Sequence, residues 1–369
     1  MFTTLDSFDT EYSADSVEWC PAEGFKDLFV CGTYQLVPGE EDNSSGSKSQ
    51  KIQTRLGKIY LFRVILDGKL QLEQTLETAA VLDMKWAHRH FHGEILLGVV
   101  NSIGFLQIFR LSSDCTPEIK LITEIRIREC EDEILALSLD WNTARWIENS
   151  TENIQIAVSD SKGAISLYSF DGQKLELCAV KKLHEFEAWI TAFDYWSTNV
   201  IYSGGDDSKF HRLDSRMGLE STASNKKHGA GVTSIHSNAT REFSLATGSY
   251  DEILRLWDTR NLRAPISETN LQGGIWRLKW DPHNHKYLLA ACMYGGFRGI
   301  DCSDESAPQI LAEYNEHESI AYGCDWSFLN DTCLSSKILG ESPKNIVLVA
   351  TCSFYDHTLK ISSLKLGDA

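Results

Sequence analysis

A six-residue pattern recurs along the chain: apolar, variable, variable, apolar, polar, aromatic. It occurs at residues 14–19 (ADSVEW), 81–86 (VLDMKW), 136–141 (ALSLDW), 190–195 (ITAFDY), 232–237 (VTSIHS), 275–280 (IWRLKW) and 321–326 (AYGCDW). Six of the seven copies end in an aromatic residue, and the fifth ends in Ser237. The starts at 14, 81, 136, 190, 232, 275 and 321 lie 67, 55, 54, 42, 43 and 46 residues apart. The last three intervals match one repeat unit of about 40–45 residues, and the first three match such a unit plus a loop. Each copy is followed by an apolar run, a turn and a second run, such as 95–100 with 106–109 and 154–159 with 165–168. Alternating β-branched and aromatic residues around tight Gly/Asp turns predict antiparallel strands. No stretch carries sustained helical periodicity. The chain therefore reads as all-β: a single seven-bladed β-propeller over residues 1–369.

The most regular unit is 245–260, LATGSYDEILRLWDTR. Thr247, Gly248, Ser249, Asp251 and the pair Trp257-Asp258 resemble the signature of a WD repeat, the strand–turn–strand unit of a propeller blade. One blade cannot bury its own faces, so the signature itself demands partners elsewhere in the chain. Residues 2–8, ahead of the first copy, are placed to supply the outer strand of the last blade and so close the ring without an exposed edge. Residues 38–53 are polar and Gly/Ser-rich and are expected to form a mobile loop in blade one. Shorter insertions of the same kind fall at 145–153 and 330–344.

The WD-repeat resemblance also assigns histidines. His184 and Asp207, and His228 and Asp251, are each 23 residues apart. His317 and Asp356 take the same roles in blade seven. In WD repeats this His joins the turn Asp, a Ser/Thr and the Trp in a network that ties the blade's loops together. Blade five carries all four members: His228, Thr247, Asp251 and Trp257. Blade four keeps His184, Ser203 and Asp207 but has Leu213 in place of Trp. Cys352 is expected at the Ser/Thr position of blade seven. The three His–Asp pairs are therefore expected to be framework, although they look like catalytic dyads.

Composition narrows the partners. The formal net charge is −17, and there is no basic stripe of the kind that tracks phosphates, so direct nucleic-acid binding is not expected. A cationic group or basic surface suits the chain better. The ten Cys form no CxxC pair and no zinc-spaced set with His; several sit in apolar runs, where Cys acts as a small hydrophobe. No metal and no cofactor is expected. The first residues lack the basic and apolar regions of a signal peptide, and no apolar run is long enough to span a membrane. A reduced, cytoplasmic compartment and a monomer are expected.

Several strings go beyond the generic repeat. ADSVEWCP and CGTYQL open the chain; RLGKIYLF, LDMKW, FEAWITAF, YSGGDD, ATGSYDE, WDTRN, GGIWRLKW, LLAACM and ATCSFYDH follow in order. Together they resemble the WD-repeat family of diphthamide biosynthesis, the diphthine methyl ester esterases. The match touches every blade between residues 14 and 357, and the inserted loops do not share it. The resemblance implies a carboxylic ester hydrolase acting on translation elongation factor 2. Its substrate would be methylated diphthine, a modified histidine bearing a trimethylammonium and a methyl ester, and its products diphthine and methanol.

Such a substrate sets two demands. A trimethylammonium donates no hydrogen bonds and is held by aromatic faces with acids nearby. The ester needs an activated water or nucleophile and donors for the developing oxyanion. The residues just before the turn Asp of three blades, Asp206, Tyr250 and Tyr355, are expected on one channel mouth. Trp189, Trp276 and Tyr322, at the starts of inner strands, are expected beside them. These five rings are the candidate substrate-binding set. There is no GxSxG elbow and no HExxH. His357 is the candidate general base, because the blade template does not use it. Glu187 and Asp206 are candidates to orient that base or to hold the cation. Arg277 is a candidate to bind the ester carbonyl or product carboxylate; pairing with an acid of another blade is the alternative. The competing reading is a non-catalytic scaffold, or an adaptor of a cullin-RING ubiquitin ligase, suggested by Trp257-Asp258-Thr259-Arg260 and more weakly by Asp214-Ser215-Arg216.

Overall fold

The computed structural model describes residues 1–37, 54–112, 116–128, 133–144, 154–329 and 345–366. The expected loop at 38–53 and the insertions at 145–153 and 330–344 lie outside the described residues. The described chain forms seven four-stranded antiparallel sheets. Blades one to six each take four consecutive strands. The six-residue pattern falls on the innermost strand of each blade: Ser13–Trp19, Val81–Trp86, Ala136–Trp141, Ile190–Phe193, Val232–Ser237, Arg277–Trp280 and Ala321–Trp326. Blade six differs slightly from expectation, its strand beginning at Arg277 rather than at 275.

The pattern has a physical cause. The inner edge of each sheet faces a narrow channel, so its backbone N–H groups need partners from the preceding blade. The third and fifth positions of the pattern supply them. Asp325 accepts from Trp19 N–H at 2.8 Å, Asp140 from Phe193 at 2.7 Å and His236 Nδ1 from Trp280 at 2.9 Å. Asp83 accepts from Leu139 and Ser234 from Leu278. The terminal Trp completes the seam. Trp86, Trp141, Trp280 and Trp326 each donate Nε1–H to a backbone carbonyl of the preceding blade, at 2.8–3.1 Å. In five blades a register shift falls near the start of the inner strand, for example between Ala14 and Ser16 and between Val81 and Asp83. A bulge there re-aims the following side chains.

The ring closes as expected. Phe2–Asp9 pairs antiparallel with Thr358–Lys365 as the outer strand of blade seven. Phe8 packs against Tyr60 and Phe62 of blade one. Thr10 donates through its N–H and its hydroxyl to the carbonyl of His357, at 2.8 and 2.9 Å.

The histidine networks form with two differences. In blade four His184 bonds Asp207 at 2.8 Å and Ser203 at 2.9 Å. In blade five His228 and Trp257 both bond Thr247, but Asp251 does not reach His228. It is drawn onto Arg255 and the N–H groups of Gly229 and Ile253 instead, and His228 Nδ1 has no partner. In blade seven His317 bonds Thr351 and Ser353, and Ser353 carries the link on to Asp356. Thr351, and not Cys352, is therefore the network hydroxyl. Cys352 is fully buried as an apolar filler.

Two outcomes are expected. Deleting residues 1–9 exposes the edge of Thr358–Lys365 and should lower the thermal midpoint by several degrees and promote self-association, read by calorimetry and light scattering. Burial holds His88, His211 and His228 near pKa 4, below the ordinary 6.5. The unfolded chain therefore binds more protons than the folded one between these values. Stability should be full above pH 6.5 and fall as the pH drops toward 4. The loss is about 1.4 kcal/mol per histidine per pH unit, measurable by urea unfolding across that range.

Candidate functional site

The mouth of the channel is built by the turns after the second strands and by the segments that lead into the inner strands. Three backbone bonds place equivalent residues there. Asp206 N–H donates to Glu187 O at 2.9 Å, Tyr250 to Gly231 at 3.0 Å and Phe354 to Ile320 at 3.2 Å. Phe354, and not Tyr355, is thus the blade-seven counterpart of Tyr250. The turn of blade seven is one residue longer between its network Thr351 and Asp356 than that of blade five between Thr247 and Asp251. The extra residue moves Tyr355 outward, where it is 69% exposed. Counting back from Asp356 selects Tyr355; counting forward from Thr351 would have found Phe354.

Four of the expected rings come together. Trp276 stacks on Tyr322 at 4.5 Å between centroids and on Tyr250 at 6.0 Å. Trp189 meets Trp276 edge-on at 5.7 Å and Tyr250 at 6.5 Å. Phe354 extends the row, 4.9 Å from Tyr322, with Tyr355 edge-on beyond it. Two acids border these rings. Trp189 Nε1–H donates to Asp206 at 3.0 Å. Burial, then the charges of Asp206 and Glu187, hold the Tyr250 phenol well above its usual range. Gly231 makes the approach possible, since a Cβ there would lie 2.8 Å from Asp206 Oδ1 and 3.0 Å from the Tyr250 ring. The result is a patch of ring faces with carboxylates at one end, the arrangement that suits a cation without hydrogen-bond donors.

The structure places the remaining candidates apart from this patch. Arg277 lies below it in the channel, 7% exposed, and reaches across to Asp83 at 3.1 Å. Burial opposes its charge, but Asp83, Glu18 and Asp15 outweigh burial and keep it protonated. Pairing with an acid of another blade is what the structure shows for this side chain. His357 occupies the left-handed turn position, φ 54°, that Ser208 and Glu252 hold in blades four and five. Its carbonyl anchors Thr10, and among the described residues no hydrogen bond or ring contact joins its imidazole to the mouth. Among the described residues no group of three His, Cys, Asp or Glu is placed to hold a metal ion. No helix of the described chain is long and apolar enough to cross a membrane.

Residues 220–258 match the model of the WD domain, G-beta repeat. The chain is 42% identical to mouse diphthine methyltransferase, covering 88% of this chain and 69% of the mouse protein. It is 39% identical to the human protein of that name, over 93% and 78% of the two chains. It is 35% identical to the Dictyostelium discoideum homologue, over 95% and 96%.

The chain belongs to the diphthine methyltransferase family.

The family is the one that the motif strings pointed to. One inference drawn from them is overturned. The relatives are named for methyl transfer, so the expected removal of a methyl ester, with its label of carboxylic ester hydrolase, does not stand. The ubiquitin-ligase adaptor finds no support among them either. Of solved structures, a chain in the crystal structure of the mitotic checkpoint complex aligns with a TM-score of 0.68, covering 99% of this chain and 92% of its own. At 15% identity that likeness concerns the propeller fold alone.

The difference between Phe354 and Tyr355 can be measured. Phe354→Ala removes a ring packed on Tyr322 and should cost about 1–2 kcal/mol in urea unfolding, less than a fully buried Phe because Phe354 is half-buried. Tyr355→Ala should stay within about 0.5 kcal/mol.

Proposed function

We propose that this chain is an enzyme of diphthamide synthesis, working in methyl chemistry on the modified histidine of translation elongation factor 2. The reading makes the cytoplasm its place of action. The observation that carries it is the stack of Trp189, Tyr250, Trp276 and Tyr322 bordered by Asp206 and Glu187. A trimethylammonium presents only methyl groups and a diffuse positive charge. Ring faces stabilise it by about 0.5–2 kcal/mol per contact, and two nearby carboxylates add attraction without demanding a hydrogen bond. Trp189 is held in place by its bond to Asp206, so that carboxylate both orients a ring and faces the charge. The family's name implies a methyl donor. A sulfonium head is a methylated cation of the same kind and fits the same faces. Such a donor supplies an electrophilic methyl group when bound. Asp206, Glu187 and the rings are the residues of this chain that would position either cation. Arg277, His357 and Tyr355 enter this reading only as framework or periphery.

The test is a titration with a peptide bearing the trimethylated diphthine side chain. A neutral peptide with tert-butyl in place of trimethylammonium serves as control, and S-adenosylmethionine forms a separate arm. The trimethylated peptide should bind, the neutral isostere roughly tenfold or more weakly, and Trp276→Ala should weaken the former by about tenfold, the loss of one good ring contact. Equal binding of the charged and neutral peptides would sink the reading of the mouth. Mass spectrometry of elongation factor 2 after incubation with purified protein and donor tests the enzymatic part. An unchanged methylation state of the modified histidine would reduce the chain to a binding module.

A further inference from the structure

The mouth rings sit at the starts of the inner strands, and the template aromatics sit at their ends. The far end of the channel therefore lies beyond the mouth rings along the inner strands. A cavity of about 170 Å³ opens there, among the indoles of Trp19, Trp86, Trp280 and Trp326. Its origin lies in the two adjacent copies of the pattern that do not end in Trp. Ser237 ends blade five, and where an indole would fill the seam its hydroxyl donates to Phe193 O at 3.2 Å. Tyr195 ends blade four, and its phenol lies between His236 Nε2 at 3.1 Å and His88 Nε2 at 3.0 Å.

The direction of that chain is set by the backbone. Trp280 N–H donates to His236 Nδ1, so the neutral ring carries its proton on Nε2 and gives it to Tyr195. Tyr195 then donates to His88, and His88 Nδ1–H donates to Thr143 Oγ1 at 3.0 Å. Burial keeps both imidazoles below their ordinary range. This side of the cavity is therefore neutral and its donors are committed.

The charge is on the opposite side. Glu18 and Asp325 share one adjacent ammonium, Lys279 Nζ, which lies 2.5 Å from Glu18 Oε1 and 3.8 Å from Asp325 Oδ1. Arg277 is committed to Asp83. Asp325 Oδ2 is taken by Trp19 N–H. Glu18 Oε2 accepts no hydrogen bond from the described residues, although Glu18 is only 6% exposed and lines the cavity. The groups around Glu18 are Lys279 and Arg277 from blade six, Asp325 from blade seven, Asp83 from blade two and Tyr195 from blade four. Burial raises the Glu18 carboxyl most, Lys279 opposes that, and Asp325 and Asp83 add to it, leaving the group at about 7. Lys85, also on the cavity wall, lies 4.0 Å from Asp83 and 3.9 Å from Asp140, so Glu18 and Asp325 with Lys279 lack one positive charge, which a proton or a visiting cation can supply.

We propose that this cavity is a ligand site distinct from the mouth, taking a primary ammonium carried on a small apolar body. The ammonium N–H groups donate to Glu18 Oε2, and the apolar part lies against the indoles. A primary ammonium fits where a quaternary one does not, because Glu18 Oε2 is an acceptor open to the cavity and only an N–H group can donate to it.

Benzylammonium is the probe and benzyl alcohol its neutral control, followed by tryptophan fluorescence and calorimetry on the full chain. Benzylammonium should bind saturably, with the alcohol roughly tenfold or more weaker. Its affinity should rise by up to about tenfold per pH unit as Glu18 loses its proton, and level off above about 7. Glu18→Gln keeps the shape and should abolish both the charge preference and the pH dependence. Ser237→Trp restores the template residue, fills the cavity and should abolish binding; if that variant does not fold, Glu18→Gln carries the test alone. Trp276→Ala, at the mouth, should leave benzylammonium binding intact. The proposal fails if the probe does not bind at millimolar concentration or if the alcohol binds equally. It also fails if Glu18→Gln keeps the pH dependence, or if Trp276→Ala removes binding.

Discussion

Everything in this molecule turns on how the inner edges of seven sheets are satisfied. Each innermost strand presents unpaired N–H groups to a channel too narrow to treat as bulk water. Side chains from the neighbouring blade meet them, as Asp325 meets Trp19 and Asp140 meets Phe193. Acceptors strong enough for this duty are often carboxylates, and buried carboxylates need cations. That requirement brings in Arg277, Lys279 and Lys85, and with them an ion network running down the axis. The same constraint explains why Arg277 is paired with Asp83 inside the channel.

The two ends of the channel have opposite chemistry for the same reason. At the strand starts the backbone is paired by turn residues, and side chains such as Trp189, Tyr250 and Trp276 are left over to make a surface. At the strand ends the indoles are spent on seams between blades, four of the five with the N–H on a neighbour's carbonyl. Where the seam residue is not Trp, at Tyr195 and Ser237, space remains. Trp19 shows how tight the arrangement is: its Nε1 is buried without a partner, at the seam between first and last blades.

Periodicity made most of the fold legible. The polar fifth position of the pattern and its terminal Trp can be read directly as a seam between blades, and residues 2–8 were legible as the closing strand because a ring cannot leave an edge. The mouth was legible where a blade keeps the standard turn length, as at Asp206 and Tyr250. It was misread at blade seven, because one inserted residue moves the ring role from Tyr355 to Phe354 and the network hydroxyl from Cys352 to Thr351. The His228–Asp251 bond was expected from spacing, but spacing is blind to Arg255, which competes for the same carboxylate. The cavity beside the ion network is lined by blades one, two, four, five, six and seven, and no local pattern encodes such a meeting. The direction of methyl chemistry was not legible either, since a patch of rings bordered by carboxylates does not distinguish gain from loss of a methyl group.

The closing strand has a further consequence for how the chain comes into being. Phe2–Asp9 precedes every other described strand of the ring in sequence, and its partner Thr358–Lys365 follows them all. The two ends of the Thr10–His357 contact are 347 residues apart in sequence. Until blade seven is made, Phe2–Asp9 has no strand to pair with, so the growing chain carries an apolar, strand-forming segment in search of an edge. The ring cannot be assembled blade by blade into a finished product. Closure must bring together strands from the two ends of the ring, so it waits until the last blade has been made.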